Sequence, residues 1–161
     1  MTAQADLQRV IGSLQQRFSR PLNTRELRTI GDLASEAIFR RTKGGRGVKV
    51  TGGNRFPLKK LSSQYIDFRK SFKNLSSDTS PSKSNLTLTG QMLASVRTGK
   101  VKKGTRGKAS IDVSPSGVFN KKKAEWNADR GRTFMNLSKV ELRDINEYIT
   151  KAIKKSLKKR L

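Results

Sequence analysis

Apolar residues take helical spacing at both ends of the chain and a looser, partly alternating pattern between them. Leu7, Val10, Ile11, Leu14 and Phe18 recur at steps of three and four, which predicts an amphipathic helix over residues 4–19 because such residues share one face. Pro21 ends it. Asn23 with Glu26 three residues on forms a capping-box pattern, and Leu27, Ile30, Leu33, Ala34, Ala37 and Ile38 predict a second helix ending near Arg41. The two should pack antiparallel through these stripes. The last stretch repeats the logic. Ser138 with Glu141 predicts a cap, and Leu142, Ile145, Ile149, Ile153 and Leu157 predict a helix about 34 Å long at 1.5 Å per residue.

In the middle, Thr89 is placed to cap a short helix carrying Met92, Leu93 and Val96 on one side. Val96 to Lys102 and Lys108 to Ser114 read as strands joined at Lys103-Gly104-Thr105-Arg106-Gly107, with Ile111 and Val113 alternating with polar residues. Pro115-Ser116-Gly117 predicts a turn into a third short strand at Val118-Phe119, and Asn120 a cap for a helix over Lys121 to Asp129 with Trp126 on its inner side. These elements make an α+β domain over residues 1–161: two N-terminal helices, a long basic arm, a small antiparallel sheet with short helices, and a long C-terminal helix across the sheet.

The arm is expected over residues 42–84. Its first part, Thr42 to Asn54, mixes five glycines with Lys43, Arg46 and Lys49, and reads as a mobile basic loop or hairpin tip. A phosphate-cradling P-loop is excluded, because Gly53 is followed by Asn54-Arg55-Phe56-Pro57 and not by Lys-Ser or Lys-Thr at a helix start. Ser62 or Ser63 can cap a short helix whose Tyr65, Phe68 and Phe72 would anchor the arm's base. Residues 74–84 have loop composition. Connections this long are usually functional or disordered.

Charge changes the picture more than composition does. The chain holds 36 Lys and Arg against 12 Asp and Glu, a formal net +24. Residues 1–39 contribute five basic and four acidic side chains, residues 40–108 eighteen and two. Such a field attracts polyanions. The candidate contacts for DNA or an anionic partner are Lys43, Arg46 and Lys49 in the arm, Lys100, Lys102, Lys103, Arg106 and Lys108 on the hairpin, and Lys154, Lys155, Lys158 and Lys159 on the last helix. The final turns of that helix carry Lys151, Lys154, Lys155, Lys158, Lys159 and Arg160, and cations at a helix C-terminus offset its partial negative charge, but that accounts for two or three of the six.

With no Cys and no His, thiolate and imidazole chemistry are gone, and the twelve scattered carboxylates lack metal-site spacing. We expect no enzyme activity, no cofactor, no metal and no small-molecule substrate. No apolar run approaches the roughly 20 residues that span a bilayer, so no membrane partner is expected either. Two readings stay open. Sequence-blind binding to phosphates would suit the hairpin cluster, although residues 97–118 hold no aromatic that could stack on bases. Assembly with acidic protein partners would suit the same charge.

The Thr-Gly-x-x-x-x-Ser-Val run at Thr89, Gly90, Ser95 and Val96, with Leu93 inside it, and the Arg-x-Phe-x-x-Leu-Ser run at Arg132, Phe134, Leu137 and Ser138, resemble the tailed-bacteriophage virion-morphogenesis proteins, which include tail-completion, neck and head-tail joining proteins. A looser match covers Phe56 to Tyr65. Thr133 stands where that family usually has Pro, and Asn136 where it usually has Gly. The resemblance implies a structural virion protein, made in the host cytoplasm, that forms a homo-oligomeric ring at the head-tail junction. Its partners would be portal or connector and tail proteins, with double-stranded DNA met through its phosphates. The motif residues Thr89, Gly90, Leu93, Arg132, Phe134, Leu137 and Ser138 would then serve assembly or the core. The alternative is a sequence-independent nucleic-acid-binding protein of ribosomal or architectural type.

Overall fold

The helices expected at the two ends form where the apolar spacing puts them. In the computed structural model, which describes residues 3–50, 52–77, 79–103 and 109–158, α1 spans Ala3–Phe18 and α2 spans Thr24–Lys43. Leu7, Val10, Ile11 and Leu14 of α1 are buried against Leu27, Ile30, Ala34 and Ile38 of α2 in one core cluster. Both halves of the capping box at α2 are made: the Asn23 side chain accepts from the Glu26 N–H at 2.9 Å, and the Glu26 carboxylate accepts from the Asn23 N–H at 2.9 Å.

Among the described residues, the β structure is two separate two-stranded antiparallel sheets, where three or four strands in one sheet were expected. In the first, β1 (Arg46–Val48) pairs with β2 (Arg55–Pro57). The second joins β3 (Val96–Lys103) to β4 (Ala109–Pro115). Val118-Phe119 is not a strand. Gly117, at φ +80°, turns the chain straight into α5 (Val118–Asp129), and the side chain of Asn120 donates back to the Ser116 carbonyl instead of capping. Pro115 closes the ladder because it brings no N–H to continue it.

The β3–β4 register carries an irregularity that sets which side chains face out. Thr98 pairs with Val113 and Val101 with Ile111, so three residues on β3 span two on β4. This is a bulge. Strict alternation from Val96 and Thr98 would turn Lys100 and Lys102 toward the core, because the side-chain period of a strand is two. The extra residue resets the parity: Val101 packs on the core, and Lys100 and Lys102 are exposed.

Helix α2 lies directly on this hairpin at Gly31. A Cβ there would sit 2.6 Å from the Thr98 methyl and 3.0 Å from Ile111 Cδ1, so only glycine admits the approach. The Thr98 hydroxyl also donates to Asp32 Oδ1 at 2.7 Å. The last helix, α6 (Lys139–Lys158), packs on α1 and α2, not across the sheet as expected. Ile145, Ile149 and Ile153 are buried, while Leu157, expected in the same stripe, is exposed. Twenty residues make α6 about 30 Å long.

Residues 42–84 do not extend as an open arm. Thr42 and Lys43 complete α2, and the β1–β2 hairpin folds back on the segment before α6. The Val48 N–H donates to the Thr133 carbonyl at 3.1 Å, the Gly52 N–H to the Leu137 carbonyl at 3.1 Å, and the Lys139 N–H to the Gly53 carbonyl at 3.2 Å. Asn136, buried, donates from Nδ2 to the carbonyls of Val48 and Lys49 at 3.2 and 3.0 Å. Helix α3 (Ser63–Ser71) follows, capped by Ser62. Its Tyr65, Phe68 and Phe72 rings stack on one another near the surface with centroids 5.8 and 5.6 Å apart. The buried anchor of α3 is instead Arg69.

Candidate functional site

The lysines singled out in the sequence are set by four different elements. Lys43 ends α2 with its Nζ 5.8 Å from the centre of the Phe39 ring, and Lys49 holds its Nζ 5.4 Å from the Phe56 ring on the β1–β2 hairpin, where Arg46 is also exposed. Lys100 and Lys102 point outward from β3, and Lys103 ends that strand. Lys154, Lys155 and Lys158 are exposed on α6. Arg106, Lys108 and Lys159 lie outside the described residues.

Element directions decide which of these belong together. Ala94 and Gln91, in the four-residue helix α4 (Gln91–Ala94), line one cavity with Phe39 and Lys43 near the carboxyl end of α2, whereas Thr98 lies on Gly31 nearer its amino end. Strand β3 therefore runs antiparallel to α2, and its lysines are carried toward the amino end of that helix. The last helix does the same. Glu141 meets Arg41, and one cleft is lined by Leu33, Ala37, Ile145 and Tyr148, so α6 is antiparallel to α2 and carries Lys154, Lys155 and Lys158 toward the same end. The other group, Lys43, Arg46 and Lys49, sits at the carboxyl end of α2. The candidate contacts thus form two basic poles, separated by about the 30 Å length of a 20-residue helix.

A buried ionic junction lies beneath the pole at the carboxyl end of α2. The Arg41 side chain is 2% exposed and that of Glu141 4%; Arg41 Nη1 is 2.5 Å from Glu141 Oε2, and Arg41 Nη2 donates to the Phe134 carbonyl. Arg55 adds an outer contact, with Nη2 3.4 Å from Glu141 Oε1 and Nε donating to Ser138 Oγ at 3.3 Å. Glu141 Oε2 also accepts from the Ser138 N–H at 2.7 Å, while Ser138 Oγ accepts from the Glu141 N–H at 3.3 Å. The capping box expected at α6 is therefore built into a charge pair joining residues 100 apart in sequence. Burial pushes the Arg41 guanidinium below its ordinary pKa, and the adjacent Glu141 charge opposes that shift. At the amino end of α2, Glu26 raises Arg20 chiefly through their hydrogen bond.

The motif residues divide by burial. Leu93, Phe134 and Leu137 are core, and Ser138 caps α6. Thr89 does not cap α4; Gly90, at φ +74°, occupies that position. Thr89, Gly90 and Arg132 come together around one cavity despite their distance in sequence.

One surface was missed. Trp126, expected inward, is 63% exposed and Phe119 is 81% exposed, because α5 buries only Ala124. Lys122 and Lys123 fall between the two rings at steps of three and four, and the Arg130 guanidinium lies 5.9 Å from the Trp126 ring. The signal in the sequence was the absence of an apolar stripe from Val118 to Asp129.

Among the described residues no group of three or more acidic side chains is gathered as a metal site would be, and no helix is long and apolar enough to cross a membrane. In comparisons with known proteins, no family model, curated protein or solved structure matches the chain.

Proposed function

We propose that the chain is a structural virion protein of a tailed phage, a ring-forming neck or tail-completion subunit that joins portal or connector to tail around the DNA channel. The observation that carries this reading is the placement of exposed lysines at opposite ends of α2, with a packed body between them. A joining subunit needs two surfaces for two neighbours, and complementary charge sets register and speeds encounter more than it adds affinity. A head-to-tail contact between copies that closes gives a ring. The Thr89-Gly90 and Arg132 to Ser138 motifs support the same reading through the family they resemble. The test is electron microscopy of particles assembled without this protein. Filled heads that fail to join tails are the expected result; normally joined particles overturn the proposal.

A second reading, sequence-independent nucleic-acid binding, is favoured by α5, where exposed Phe119 and Trp126 alternate with Lys122 and Lys123 as stacking platforms do. Trp126 is the only tryptophan, so its fluorescence reports on this face alone. Strong quenching by single-stranded oligonucleotide, from a protein that remains monomeric in light scattering, would favour this reading over assembly.

A further inference from the structure

A cavity of about 260 Å³ lies between α3, the 86–92 segment and the end of α5. Arg69, Lys123 and Arg132 line it, and among the described residues no carboxylate does. Arg69 is 2% exposed; its Nη1 donates to the Lys83 carbonyl at 2.8 Å and its Nη2 to the Thr79 hydroxyl at 3.3 Å. Among the described residues its Nε–H is buried without an acceptor, and so is that of Arg132. A buried donor left unpaired is costly, more so when charged, so two among the residues lining one cavity ask for an acceptor from solution. Burial lowers the Arg69 pKa, yet a guanidinium stays protonated.

The backbone of the same wall is unusual. Leu86 sits at φ +58°, a left-handed conformation that a leucine seldom adopts, next to Thr87, whose hydroxyl donates to Asn85 Oδ1 at 2.5 Å. Such conformations persist where the surroundings enforce them, and they gather at ligand sites. Leu61, Leu86, Leu88 and Met92 give the lining an aliphatic part, beside Tyr65, Thr87, Thr89, Gly90 and Asn127. Cations without acids on one part and hydrocarbon on the other describe an amphipathic anion.

We infer that this cavity binds an oxyanion carried on a short aliphatic stem, a carboxylate or a phosphate monoester, with Arg69 and Arg132 on its oxygens, Lys123 beside them, and Leu61 and Met92 along the stem. The inference does not rest on the assembly role proposed for the two basic poles.

The test is a titration of the full chain followed by amide NMR shifts at constant ionic strength, with hexanoate and butyl phosphate as probes and inorganic phosphate as the stemless control. Saturable shifts at Thr87 to Met92 and around Arg132 are expected, with the stemmed probes half-saturating at a concentration about tenfold below inorganic phosphate. The tighter of the two probes identifies the anion. Arg132→Gln should weaken binding about tenfold, as removal of a charge-assisted hydrogen bond does, whereas Lys100→Ser with Lys102→Ser should leave it unchanged. Shifts that never saturate and spread over the basic poles overturn the inference, as does undiminished binding by a folded Arg132→Gln variant. If that variant does not fold, exposed Lys123→Gln decides: weakening of about threefold supports the site, and unchanged binding removes it.

Discussion

Glu141 holds the charge of Arg41 inside the protein, and that places a large share of the stability on one side chain. Replacing Glu141 by Ala leaves a guanidinium 2% exposed with no carboxylate beside it, a change that typically costs about 3–5 kcal/mol. Urea unfolding followed by circular dichroism should register it as a shift in midpoint at unchanged slope. The pair Arg41→Met with Glu141→Leu should cost less than Glu141→Ala alone, because it removes the burial of charge together with the attraction. Arg55→Ala should cost only about 0–1 kcal/mol, since its contact is long and its side chain 38% exposed. The Ser138 and Glu141 capping pattern was legible from spacing. The Arg41 partner was not, because nothing local links residues a hundred positions apart.

At the scale of elements, two glycines in helices are predicted to behave oppositely. Gly12 in α1 has nothing within 4 Å of an added Cβ, so Gly12→Ala should gain up to about 1 kcal/mol of helix propensity. Gly31→Ala gains the same propensity but drives its Cβ into Thr98 and Ile111, and overpacking of this kind costs about 1–3 kcal/mol. Differential scanning calorimetry should show Gly12→Ala melting about 2–4 °C higher and Gly31→Ala lower than the parent. Apolar spacing predicted α1, α2 and α6 within a few residues. It could not place Trp126, because α5 has no apolar stripe to orient it and touches the body through Ala124. The bulge in β3 did leave a local sign, since Gly99 interrupts the strand pattern and an isolated glycine there often marks a bulge, but its effect on which lysines face out shows only in the pairing with β4.

For the whole molecule, the two basic poles predict separable effects. Lys154→Glu with Lys155→Glu should weaken association with an acidic partner or duplex DNA and flatten its salt dependence, by about 0.9 in log–log slope for each phosphate no longer neutralised. The melting temperature should hardly move, because both side chains are exposed. Lys100, Lys102, Lys103 and Arg106 replaced together by Ser test the hairpin, where Lys100 and Lys102 belong to the same pole. Virions that still form and retain DNA normally would remove the hairpin from the assembly role. Arg46→Ser with Lys49→Ser addresses the opposite pole, and a partner that this variant fails to bind while the α6 variant still binds it would mean that the two ends meet different neighbours.

The sequence by itself determined the three long helices and the capping boxes of α2 and α6, the α+β class and the excess of positive charge, because spacing, capping and charge are properties of neighbouring residues. Tertiary structure alone decided that residues 44–50 and 52–58 fold back on Thr133 and Asn136 instead of reaching outward, that Arg41 and Arg69 are buried, and that the lysines collect at two opposite ends. Those outcomes depend on the parity of one strand and the direction of each element against α2, which residues distant in the chain settle only once they pack.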